Sequence, residues 1–156
     1  MILAILFTSS AVKSEDAAMP CLCNELEIKS PDWRLYLYAK DPATWQVING
    51  GAWGELNINH PSGKFRLEVH GLLPKTEYAL VRYRGPALAA QIVLRFQVND
   101  RGSFKSSGVW REWSEKFWVV LGSDLQENPA DFKPGTRATP KDWHPAQYLF
   151  ESEALL

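Results

Sequence analysis

From Arg34 onward, apolar and polar residues alternate with period two in short stretches separated by turn chemistry, the mark of strands that bury one face. Leu35 and Leu37 alternate with Tyr36 and Tyr38, Leu56 and Ile58 with Asn57 and Asn59, and Phe65, Leu67 and Val69 with Arg66, Glu68 and His70. Between the last two stretches, His60-Pro61-Ser62-Gly63 supplies the dihedrals of a tight connection, so those strands are expected to pair as a hairpin. Longer strands are expected over 78–83 and 91–98, and Asn99-Asp100-Arg101-Gly102 reads as a second hairpin turn leading into 103–107. Residues 117–121 are apolar at every position, as in a strand covered on both faces or a buried helical turn. Beyond Gly122 the alternation stops. The four prolines of 123–145, with its Asp, Asn, Gly and Thr residues, predict a long ordered surface loop pinned by Phe132 and Trp143, followed by an edge strand over 148–151. No segment sustains a 3.6-residue repeat. The pattern therefore predicts an all-β chain, an antiparallel two-sheet sandwich forming one domain over 33–156.

The N-terminus follows different rules. Ile2 to Phe7 is an unbroken apolar run, followed by a small-x-small site at Ser9 and Ala11, which reads as a signal peptide over 1–11 with an extension over 12–32. No basic residue precedes the run, and it sits at the short end of the ~7–15 residues of an ordinary signal core. A first strand or buried segment is the alternative. A bilayer crossing needs about 20 consecutive apolar residues, so no transmembrane segment is expected. Cys21 and Cys23 are too close for a relaxed bridge to each other. Bonds to a second chain, a soft-metal site completed by a distant His, and two ordinary thiols all stay open.

Composition narrows the class. With 156 residues, 46% hydrophobic and 22% charged, the chain can offset its conformational entropy with a core of its own. A formal net charge of −1 supplies no field to attract nucleic acid or anionic lipid. His60, His70 and His144 lack metal-ligand spacing, and there is no nucleophile elbow or phosphate loop, so no catalytic residue, metal or cofactor is expected. Asn99 to Gly102 resembles a calcium loop only superficially and is explained as a turn. Were a catalytic site present, it would be sought in the long loop, among Asp124, Glu127, Asp131, Asp142 and His144.

Seven Trp, seven Phe and five Tyr suit both sandwich cores and binding surfaces. Trp45 and Trp53 flank the side-chain-poor Asn49-Gly50-Gly51, where two indoles could stack a sugar or clasp a peptide; as core plugs they would bind nothing. Trp110 and Trp113, three apart on an extended chain, point to opposite faces, so at least one is expected to be partly exposed unless a loop covers it. All four are candidate binding residues.

Leu72-Leu73-Pro74-Lys75-Thr76-Glu77-Tyr78 resembles the L-x-P-x-T-x-Y stretch of fibronectin type III domains. That resemblance implies a fibronectin/immunoglobulin-like sandwich in which Pro74 and Tyr78 are structural and the Tyr78 hydroxyl bonds to backbone upstream. Trp45-Gln46-Val47, Gly50-Gly51-Ala52-Trp53-Gly54, His70-Gly71-Leu72 and Trp143-x-Pro145-x-x-Tyr148-Leu149-Phe150-Glu151 are similar to landmarks of an uncharacterised family of secreted or cell-surface proteins in methanogenic archaea and some bacteria. The chain departs from that family between Pro86 and Trp118. The resemblance implies a secreted or cell-surface module. Trp110-Arg111-Glu112-Trp113-Ser114 resembles the W-S-x-W-S box of class I cytokine receptors, in which strand arginines pack beside the box; Arg82 and Arg84 could stack on the indoles here, although the receptors' paired cysteines are missing. Together these readings lead to the expectation of an extracytoplasmic, non-catalytic structural or interaction module, with a protein partner or self-association at the cell surface. A carbohydrate-binding module and a small hydrolase are the alternatives.

Overall fold

Alternation places Leu35 and Leu37 on one face of β1 (Trp33–Tyr38), Leu56 and Ile58 on β2 (Trp53–Asn59), and Phe65, Leu67 and Val69 on β3 (Lys64–His70), and all seven are buried. Each such side chain contributes about 1.5–3 kcal/mol when withdrawn from water. The computed structural model describes residues 33–83, 90–113, 116–127 and 133–152. The signal peptide over 1–11, the extension over 12–32 with Cys21 and Cys23, and Arg84, Asp131 and Phe132 lie outside the described residues. The remaining strands are β4 (Glu77–Tyr83), β5 (Ala90–Gln97), β6 (Phe104–Val109), β7 (Lys116–Leu121), β8 (Leu125–Gln126), β9 (Arg137–Pro140) and β10 (Phe150–Glu151). They form two antiparallel five-stranded sheets, in the orders β10-β1-β2-β3-β6 and β7-β4-β5-β9-β8. The fold is an all-β two-sheet sandwich, as the pattern predicts.

The β2–β3 hairpin forms at the expected turn. Asn59 Oδ1 accepts the Ser62 N–H at 3.1 Å, and Gly63 takes a left-handed φ of 72°. A Cβ on Gly63 would lie 2.7 Å from the Trp110 carbonyl oxygen, so only glycine fits this approach.

Two sequence expectations need correction. Asn99 to Gly102 is a tight turn, with the Asn99 N–H donating to Ser103 O at 3.0 Å, but it does not join a hairpin. β5 pairs with β4 while β6 pairs with β3 in the other sheet. Turn residues fix a local reversal, not the partner of the strand that follows. Here Phe96 and Phe104 stack 4.4 Å apart, and the Leu72 N–H donates to Gly102 O at 3.0 Å, so the chain crosses between sheets. The segment after Gly122 is also more regular than a loop: its described part contains a 3-10 turn at Gly122–Asp124, then β8, β9 and a second 3-10 turn at Pro145–Gln147. Strands of two and four residues are too short to display alternation.

The C-terminal strand joins both sheets. β10 pairs with β1, while Leu149 exchanges two 2.9 Å backbone bonds with Val119 of β7. The buried Glu151 carboxylate accepts the Phe117 N–H. This seam brings the outward faces of β1, β10 and β7 side by side.

Candidate binding surface

Register alone lines up a row of aromatic positions on the outward side of that seam. Trp53 lies opposite His70 on β3 and opposite Tyr38 on β1, and Tyr38 lies opposite Phe150 on β10. The Val119–Leu149 bridge then brings the Trp118 ring to 5.1 Å from that of Phe150, at 72°. Phe150 is itself buried, because three indoles surround it. Trp45 meets it edge-on at 5.2 Å and 77°, and Trp143 at 6.2 Å and 58°. Trp118 and Trp143 contact each other at 5.9 Å and 54°. The walls are steep rather than coplanar.

Trp45 is held in place by its backbone. Asp41 begins a tight turn in which its carboxylate accepts the Ala43 and Thr44 N–H groups at 2.9 Å each, and its carbonyl accepts the Trp45 N–H at 2.7 Å. The backbone bonds from Thr44 and Ala43, with a third from the Thr44 hydroxyl, hold the Asp41 carboxyl below its usual pKa. Trp45 itself occupies the left-handed region at φ 58°, which costs a non-glycine residue about 1–2 kcal/mol. That conformation turns the indole toward Phe150.

Trp45 is 49% exposed, Trp143 48% and Trp53 39%, so none of them is a core plug. Trp53 stacks on His70 at 4.7 Å and 30°, whereas Trp45 belongs to the Phe150 cluster; the two do not form the paired platform around Asn49 to Gly51. Trp110 and Trp113 are both buried, which corrects their place among the candidate binding residues; exposure of one was expected only where no loop covers it. The segment carrying them is not a regular strand, so alternation does not apply. Trp113 packs on Phe65 and Phe117 at 5.4 and 5.2 Å, and Gly135 lies over the Trp110 ring. A covering loop hides one indole and the core takes the other.

Arg82 is buried, and its guanidinium donates to Gln91 at 2.9 Å and to the Glu112 carboxylate at 2.6 Å, reaching the Trp110–Trp113 segment through an ion pair. Tyr78 is fully buried, and its hydroxyl accepts the N–H of Leu73, five residues upstream, at 3.3 Å; burial pushes its pKa up. The Pro74 carbonyl accepts the Thr76 hydroxyl at 3.0 Å.

Of the titratable residues in the long loop, two converge. The buried Asp124 carboxylate accepts His144 Nδ1–H at 2.9 Å and the Tyr148 hydroxyl, and the Ser123 hydroxyl lies 3.3 Å from its other oxygen. The bond to Asp124 raises the His144 pKa, and burial followed by the same carboxylate raises that of Tyr148. Glu127 instead pairs with Arg95. The recess beside Tyr148 is lined by Ala39, Ala52, Leu72, Leu73, Tyr78 and Ala146 among others, with no acid or imidazole. The Asp124–His144 pair thus ties the loop down without lining that recess. Among the described residues, no group of three His, Cys, Asp or Glu side chains could hold a metal ion, and no helix is long and apolar enough to cross a membrane.

Sequence reasoning missed Trp118 and Phe150 as surface builders, because only the pairing of β10 with β1 and the Leu149 bridge to β7 make them neighbours. The W-x-x-x-x-Y-x-F spacing of Trp143, Tyr148 and Phe150 was the one local signal. No family model, curated protein or solved structure matches the chain.

Proposed function

We propose that the chain is an extracytoplasmic, non-catalytic protein-interaction module that engages its partner through the aromatic surface around Phe150. The observation that carries this reading is the grouping of half-exposed indoles at one place on a rigid seam, with Trp45 and Trp143 standing over a buried Phe ring. Among the described residues, five of the seven exposed large hydrophobics are Trp45, Val47, Ile48, Trp53 and Trp143, which belong to the β1–β2 connection and to this surface. Water-exposed apolar groups collected in this way mark contact sites, and Trp dominates the energetics of protein interfaces. Rings meeting at steep angles suit side chains that insert between them, whereas the flat face of a sugar is best served by a coplanar shelf. The extracytoplasmic placement rests on the Ile2 to Phe7 run and the Ser9-x-Ala11 site.

The test is cosedimentation of the purified protein with washed envelopes of its source cells. Saturable binding is expected, lost after protease treatment of the envelopes and lost in a Trp45→Ala/Trp143→Ala variant whose unfolding midpoint is unchanged. Binding that survives protease and is competed by soluble polysaccharide would reassign the surface to carbohydrate. Binding unaffected by the double variant, or none, overturns the proposal. Mass spectrometry of the native protein tests export, and an intact Met1 on cytoplasmic protein refutes it.

A further inference from the structure

The segment that carries Trp143 hangs from a single residue. The Asp124 carbonyl accepts the Lys141 and Asp142 N–H groups at 2.7 and 3.4 Å, just before Trp143. Its carboxylate holds His144, the residue just after, and Tyr148, whose ring meets Trp143 edge-on at 5.2 Å. The Tyr148 hydroxyl in turn accepts the His144 N–H at 3.2 Å. Residues 141–144 have no strand or helix of their own, so these bonds, together with the ring contacts to Trp118, Tyr148 and Phe150, set where the Trp143 indole stands.

We infer that proton binding at His144 governs how Trp143 is presented on the aromatic surface, through the Asp124–His144–Tyr148 clamp. This rests on the proposed role of that surface and adds its regulation. The bond to the Asp124 carboxylate is charge-assisted with either form of His144, but only the protonated ring adds the attraction of an ion pair, and a neutral imidazole keeps the bond only in the Nδ1–H tautomer. Protonation of His144 therefore tightens the clamp. Among the described residues, the groups facing His144 favour the charged form or are neutral: Asp124 from the 3-10 turn, Asp142 two residues earlier, and the Tyr148 hydroxyl, which accepts the His144 backbone N–H. Tyr83 is the further ionisable group facing Tyr148. Because Asp124 raises the pKa of His144 in the folded protein, the clamp's contribution is complete below the imidazole's ordinary value and is lost as pH rises through the folded one. The clamp is thus tightest where His144 is protonated and loosens as pH rises through its raised, folded-state pKa.

A second group beneath the surface has to be told apart from His144. Glu151, next to Phe150, has its pKa pushed up to about 6 by burial. A variant separates the two. The full chain is labelled with 5-fluorotryptophan, the Trp143 resonance is assigned with Trp143→Phe, and its shift is followed from about pH 5 to 8.5. We expect it to titrate with the midpoint of the His144 ring protons, above that of a free imidazole, and to become invariant in His144→Gln, which keeps a donor that cannot ionise. A Trp143 resonance that stays constant while His144 titrates, or a transition that survives in His144→Gln, overturns the inference; the second result assigns the effect to Glu151. Envelope affinity of the native chain is expected to fall about two- to fivefold across the same transition, the range of one half-exposed ion pair. The fluorine readout needs no partner, so failure of envelope binding and failure of the clamp are told apart.

Discussion

Glu151 is a carboxylate placed where charge is costly, inside the seam between β10 and β7, with the Phe117 N–H as its donor. Burial raises its pKa from 4.5 to about 6. A carboxyl that is a weaker acid in the folded than in the unfolded chain contributes stability at low pH and loses it as pH rises through the folded value. Unfolding free energy should therefore fall between about pH 4.5 and 6 by up to roughly 2 kcal/mol from this group. Glu151→Gln keeps an acceptor for Phe117 and should flatten that part of the curve, raising stability at neutral pH, as urea titrations at several pH values would read. Tyr78 obeys simpler arithmetic. Tyr78→Phe removes the acceptor for the Leu73 N–H at a cost of about 0.5–1.5 kcal/mol. Leu73 is exposed, so water can replace the lost partner, and chemical denaturation should give a value toward the lower end.

At the scale of elements, the crossing from β5 to β6 depends on the turn at Asn99 to Gly102. Asn99 Oδ1 accepts the Arg101 and Ser103 N–H groups at 2.9 and 3.0 Å, and Gly102 takes φ 72° against the Leu72 backbone. A Cβ there would overlap the Leu72 carbonyl oxygen as well as strain the left-handed conformation. Gly102→Ala should therefore lower stability by about 2 kcal/mol or more, with the unfolding midpoint falling accordingly. A substitution of Gly50, whose added Cβ would meet nothing, has only the strain to bear and serves as the control.

At the scale of the molecule, one short strand closes the sandwich on its β1–β7 side. Leu149 is fully buried and bonded to Val119, and β10 is paired to β1, so the two sheets are stitched by backbone as well as by the core. A chain ending at Gln147 loses Tyr148, Leu149, Phe150 and Glu151 together. Removing one buried Leu alone costs about 2–5 kcal/mol, a large share of an ordinary domain's stability. We expect that chain to lose cooperative unfolding and its near-ultraviolet dichroism, because Trp45, Trp118 and Trp143 lose their common ring. A cooperative transition with native dichroism would show that the two sheets hold together without the seam.

The sequence by itself determined the elements whose residues interact with near neighbours. β1, β2, β3 and the turn at 60–63 follow from alternation and turn chemistry, and the burial of Tyr78 with its bond to Leu73 follows from a motif only a few residues long. Two-residue strands such as β8 and β10 carry too few positions for a period to register. Which sheet β6 joins was decided by packing, since the Asn99 turn serves a hairpin or a crossing equally well and the Phe96–Phe104 stack selects the crossing. The fate of the tryptophans was likewise tertiary. Composition supplied seven indoles with no measure of exposure, and only the pairing of β10 with β1 and Leu149's bridge to β7 gathered Trp45, Trp118 and Trp143 around Phe150. Asp124 and His144 stand 20 residues apart with no spacing rule between them, and they meet because the segment after Gly122 folds back on itself. Local chemistry is written in neighbouring residues, whereas the surface and its clamp arise from contacts between distant parts of the chain, which no short-range pattern encodes.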